Sequence, residues 1–86
     1  MARAITMRHT IVTADDRSEF RNRAGRSRQH YMKAGCHYWL FEEADLAGAF
    51  LEFFEAGDRE TLVRAHRDAP EPVAESARLY VEVELT

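Results

Sequence analysis

At 86 residues and 9.9 kDa the chain suits one domain, because two would leave roughly 43 residues each, near the limit for folding without disulfides or metals. A hydrophobic content of 45% argues against disorder, a single cysteine excludes an internal disulfide or a cysteine zinc cluster, and apolar runs of only a few residues exclude a membrane span. The net charge of -3 conceals an asymmetry: eight Lys/Arg face three acids over residues 1–41, and four face twelve over residues 42–86.

Thr6 to Thr13 is rich in β-branched residues and ends in a turn-like Ala-Asp-Asp, which predicts a strand. Asp16 with Glu19 three places on has the form of a capping box, opening a helix over about Arg17–Ala34. Phe20, Ala24, Ser27, Tyr31 and Ala34 make one stripe of that helix, while Arg17, Arg21, Arg28 and Lys33 take the rest of its circumference. Gly25 suggests close packing on a sheet, and Gly35 stands where a left-handed C-cap is wanted. Cys36 to Glu42 and Ala49 to Glu55 are compact aromatic runs, a hairpin joined by the polar segment from Glu43 to Gly48. Asp58 caps a second helix, Arg59 to about Ala69, stopped by Pro70, and Val73 to Ala77 suits a further helical turn. Arg78 to Leu85 alternates, with Leu79, Val81, Val83 and Leu85 on one face.

The order β-α-β-β-α-β with right-handed crossovers predicts an α+β, ferredoxin-like fold over residues 1–86. Its four-stranded antiparallel sheet is ordered 4-1-3-2, and both helices cover one face. Phe50, Glu52 and Phe54 share one face of the third strand and Leu51 and Phe53 the other, so both faces of the sheet are apolar. That pattern calls for a second sheet on the open face, supplied by a homodimer closing into a dimeric α/β barrel. The positive half then reduces to the solvated surface of the first helix.

From Gly35-Cys36 onward the chain resembles the antibiotic-biosynthesis-monooxygenase type of dimeric α/β barrel. The resemblance rests on that Gly-Cys opening, Trp39 and Phe41 within the second strand, Phe50 and Glu55 in the third, and Ala65-His66 closing the second helix. It implies a homodimer with an apolar pocket between sheet and helices, used in the family for cofactor-free oxidation of aromatic or quinol-like molecules, for haem breakdown in one branch, or for no known reaction. Gly57 stands where the family commonly has a tryptophan, and the stretch after Ala-His is shortened to Arg67–Ser76, so the fold carries over more directly than the chemistry.

Four histidines, His9, His30, His37 and His66, show no helical i,i+4 pairing, so no metal site is expected, though a single axial histidine leaves haem ligation open. His30 should be solvated, and His9 and His37 can face the interior from their strands. Cys36 and His37 point to opposite faces of their strand, which argues for a structural thiol and against a Cys–His nucleophile. Arg8, Glu52 and Glu82 interrupt three neighbouring strands and are expected to pair in a charged network on the partner-facing side, fixing dimer register or anchoring a ligand. The candidate catalytic residues are therefore Arg8, His37, Glu52 and His66, and the candidate ligand pocket is Trp39, Phe50 and Tyr80. No cofactor is expected. The acids of the sheet and the want of a stacking ring in the first strand argue against nucleic acid. Met1 to Met7 lacks the charged-then-apolar order of a secretory leader, so a cytoplasmic location is expected, with no membrane contact. The leading function is oxidation or binding of a small aromatic or apolar molecule; the alternative is a non-enzymatic ligand-binding or interaction module of the same fold.

Overall fold

The structure is a computed structural model that describes residues 2–73 and 78–85. Its elements are β1 (Ala4–Ile11), a 3-10 turn (Ala14–Asp16), α1 (Arg17–Lys33), β2 (His37–Glu42), β3 (Ala49–Ala56), α2 (Arg59–Arg67) and β4 (Leu79–Val81). All strand pairs are antiparallel, in the order β2-β3-β1-β4. This is the expected 4-1-3-2 sheet of a ferredoxin-like α+β fold.

The α1 stripe forms as its spacing predicts: Phe20, Ala24, Ser27 and Tyr31 are buried, and Ala34 packs against the same core. Gly35 takes a φ of 82°, the left-handed conformation that ends the helix. At the other end the predicted capping box does not form. The 3-10 turn runs straight into α1, leaving Asp16 in helical backbone where its side chain cannot reach the first free N–H groups; its carboxylate accepts from the Thr13 hydroxyl instead. Asp58 does cap α2, accepting from the Thr61 N–H at 2.8 Å. Gly25 faces open space, so it serves no close packing on the sheet.

Successive residues of β3 alternate strictly in burial. Phe50, Glu52, Phe54 and Ala56 go under the helices, and Leu51, Phe53 and Glu55 go to the open face. Register carries that parity to both neighbours, placing Ala4, Thr6, Arg8 and Tyr38 beneath the helices with them. Phe54, Tyr31 and Leu62 fill the centre of the core. The open face carries Ile5, Met7, Trp39, Phe41, Leu51 and Phe53 in adjacent rows, with Trp39 and Phe41 about half exposed.

The hairpin between β2 and β3 closes on Gly48, which has a φ of 90° and lies so near β1 that an added Cβ would sit 2.3 Å from the Val12 carbonyl oxygen. Its N–H donates to Glu42, which also pairs with Arg17 at the start of α1. Those hydrogen bonds from Arg17 and Gly48 hold the Glu42 carboxyl down at about 2.

Two expectations at the C-terminal end change. β4 is three residues long, not eight; Leu79 packs on the core, while Val83 and Leu85 lie beyond it, largely exposed. The helical turn expected over Val73–Ala77 lies, apart from Val73, outside the described residues.

Candidate functional site

Arg8 and Glu52 face each other directly across β1 and β3 on the helix-covered side. The guanidinium donates twice, Nε to Oε1 at 2.7 Å and Nη2 to Oε2 at 3.1 Å, and the Tyr38 hydroxyl donates to Oε2 at 2.5 Å. Glu52 is only 2% exposed, so an ion pair of this kind survives only because both oxygens are served. Arg8 reaches further, 5.5 Å over the Phe54 ring and to the Pro72 carbonyl at 3.3 Å, tying the segment after α2 to the sheet. Burial alone would lower the Arg8 pKa; the hydrogen bonds and charge of Glu52 outweigh it and leave it raised. Burial, with the Glu52 contact, pushes the Tyr38 phenol well above its ordinary range.

A second polar chain runs beside the first. Tyr31 of α1 bonds His66 Nδ1 at 2.7 Å, and His66 Nε2 bonds the Thr6 hydroxyl at 2.9 Å. Burial raises the Tyr31 pKa, so the phenol keeps its proton. The consistent arrangement has Tyr31 donating to Nδ1 and Nε2–H donating to Thr6. Burial, and then the nearby charges of Arg8 and His30, lower His66 to about 4, so its ring is neutral at physiological pH. His30, expected in solvent, instead reaches α2 and donates to the Ala65 carbonyl at 2.7 Å, fastening the two helices together.

Next to Glu52, between α1 and the sheet, lies a cavity of about 200 Å³. Its lining combines Arg8, Thr10 and Glu52 from the sheet with Phe20, Arg23 and Ser27 from α1. Phe50 does not line it but packs against Phe20, the rings tilted at 4.7 Å between centroids.

The predicted site residues therefore fall into two groups. Arg8, Glu52 and Phe50 lie beneath the helices, His66 reaches down to them from α2, and Arg8 and Glu52 line the cavity. His37, Trp39 and Tyr80 lie on the open face, so Trp39, Phe50 and Tyr80 do not line one pocket within the chain. The expected network of Arg8, Glu52 and Glu82 on the partner-facing side is likewise corrected. Arg8 and Glu52 point under the helices because Glu52 shares the parity of Phe50 and Phe54, and Glu82 pairs with Arg3 at 2.8 Å. His9 and His37 are exposed; His37 Nδ1 bonds Glu55 at 2.8 Å and its ring stacks on Trp39. Cys36 is buried, which pushes its thiol pKa up, in keeping with a structural role. Among the described residues no three His, Cys, Asp or Glu side chains cluster closely enough to hold a metal ion.

Arg23 on the cavity wall and Tyr31 in the second polar chain are further residues of the site, and no signal in the sequence singles out either. Arg23 is one of six Lys/Arg in α1, and only the position of the cavity distinguishes it. Tyr31 sits on the apolar stripe, where its ring accounts for its presence and its hydroxyl carries no periodic signal.

No family model matches the sequence, and no curated protein matches it. In structure the chain is similar to Rv0793 from Mycobacterium tuberculosis, at 20% sequence identity and a TM-score of 0.62, over 100% of this chain and 97% of that one. At that identity the likeness shows the fold. No helix among the described residues is long and apolar enough to cross a membrane.

Proposed function

We propose that the protein is a homodimeric domain that binds a small, single-ring aromatic or apolar molecule in the cavity between α1 and the sheet. The observation that carries the binding reading is the cavity's construction. It has a buried polar floor whose charges already satisfy each other and an apolar wall at Phe20 and Ala24, the combination that orients a ligand within a greasy site. The dimer reading is supported by the open face, where aromatic and aliphatic side chains from β1, β2 and β3 form one contiguous surface with Trp39 and Phe41 about half exposed.

Saturation-transfer NMR with phenol and benzyl alcohol tests the pocket. Signal transfer to either ring, abolished by Thr10→Phe, which fills the cavity from its β1 wall, is the expected outcome. Transfer that survives Thr10→Phe, or none from either probe, overturns the reading.

A second reading, cofactor-free oxidation of a phenol or quinol, is favoured by the Glu52 carboxylate lining the cavity, a group able to take a phenolic proton if a substrate hydroxyl replaces that of Tyr38. Oxygen uptake with a panel of phenols and quinols decides it; a panel without uptake leaves a binding module.

A further inference from the structure

One cation on the cavity wall has no counter-ion among the described residues. It is Arg23 of α1; its Nε is closed off even to water, so a ligand in the cavity can reach only the outer nitrogens of the guanidinium. Its guanidinium carbon lies 6.0 Å from the centre of the Phe20 ring, a cation–π contact that does nothing for the in-plane N–H. The nearby carboxylates leave it unserved. Glu52 has its oxygens engaged by Arg8 and Tyr38. Glu71 also lines the cavity, yet among the described residues no carboxylate lies within 4.0 Å of an Arg23 nitrogen. The acceptor that suits a planar guanidinium best is a carboxylate, which takes two of its N–H groups at once.

We infer that the molecule held in this cavity is a small carboxylic acid, its carboxylate accepting from Arg23 and its ring or alkyl body against Phe20 and Ala24. The inference rests on the binding reading above and names the chemical class of the ligand. A space of about 200 Å³ suits one ring with its acid group. Glu71 tunes the site from the other side: an acid on the same lining repels an incoming carboxylate and limits its affinity.

Isothermal titration of the full chain with benzoate and with its neutral isostere benzamide provides the test. Benzoate is expected to bind about tenfold or more tightly than benzamide, since only the anion makes charge-assisted hydrogen bonds. Arg23→Gln should erase that preference by weakening benzoate alone. Glu71→Gln, a surface-side change that leaves the core intact, should tighten benzoate severalfold and leave benzamide where it was. Equal affinities in the unmodified protein, or a preference that survives Arg23→Gln, overturn the carboxylate assignment while leaving the pocket standing. If Arg23→Gln does not fold, an unchanged benzoate-to-benzamide ratio in Glu71→Gln overturns it instead. Failure of both probes to bind overturns the pocket and the assignment together.

Discussion

Arg8 and Glu52 form a two-point ion pair across adjacent strands, under the helices, with Tyr38 donating the third hydrogen bond to the same carboxylate. A buried pair of this kind adds little net stability over well-packed apolar residues, but removing one member strands the other charge. Arg8→Ala is therefore expected to cost about 3 kcal/mol or more, and Arg8→Met combined with Glu52→Leu distinctly less than the single change. Urea unfolding of both variants measures the difference. A double variant less stable than Arg8→Ala would show that the pair contributes more than mutual neutralisation.

His66 sets a pH dependence whose direction follows from its burial. Its pKa falls from 6.5 in the unfolded chain to about 4 in the fold, so between those values the unfolded state binds more protons. The stability it contributes is fully present above about 6.5 and is lost as the pH falls toward 4. Thermal melts at pH 7 and pH 5 should show a marked drop for the unmodified protein. His66→Gln, which can still bond to Tyr31 and Thr6 but cannot titrate, should show a smaller drop. Equal drops in the two proteins would assign the loss to other groups.

What the sequence discloses is what repeats. The α1 stripe is legible because burial selects every third or fourth residue, and the alternation in β3 because burial selects every second. Which face of β3 goes under the helices is not legible, since Phe50 and Phe54 on one side are matched by Leu51 and Phe53 on the other. Apolarity on both faces carries no parity. The same ambiguity in Tyr38-Trp39-Leu40-Phe41 is why Trp39 and Phe50 read as pocket partners when the sheet stands between them. A charged residue in a strand likewise reads as facing solvent or a partner, and only the register that sets Arg8 opposite Glu52 shows that the two neutralise each other inside. His30 on a basic helix looks solvated until α2 supplies the Ala65 carbonyl, a contact between helices that neither helix's own periodicity contains.

Gly48 is required twice over, by a φ of 90° and by the Val12 carbonyl that an added Cβ would meet at 2.3 Å. Backbone atoms cannot swing aside as a side chain can, so relief would mean moving β1 or giving up the Val12 N–H to Gly48 carbonyl hydrogen bond of 2.8 Å. Gly48→Ala is expected to cost roughly 2 kcal/mol or more, made up of about 1–2 kcal/mol for the left-handed backbone plus the clash. Gly25→Ala is the control. It meets nothing within 4 Å on an exposed helical face, and the change should stabilise by about 0.5–1 kcal/mol through helix propensity. Chemical denaturation of the two variants should move the midpoint in opposite directions.

Trp39 separates the dimer from the cavity. It stacks on His37 and stands in the row of Phe53 and Met7 on the open face, with the whole sheet between it and Phe50. If two open faces close on each other, removing this ring deletes an aromatic contact from the β2 side of the buried surface. A truncated aromatic at such a position typically costs an interface 2 kcal/mol or so, about thirtyfold in dissociation constant. Trp39→Ala is thus expected to shift sedimentation equilibrium toward the monomer while leaving the affinity for benzoate unchanged. Its thermal midpoint should also be lower and depend less steeply on protein concentration, because dimerisation then contributes less at any given dilution. A variant that stays dimeric but loses benzoate would instead place Trp39 in the ligand site and return the open face to solvent.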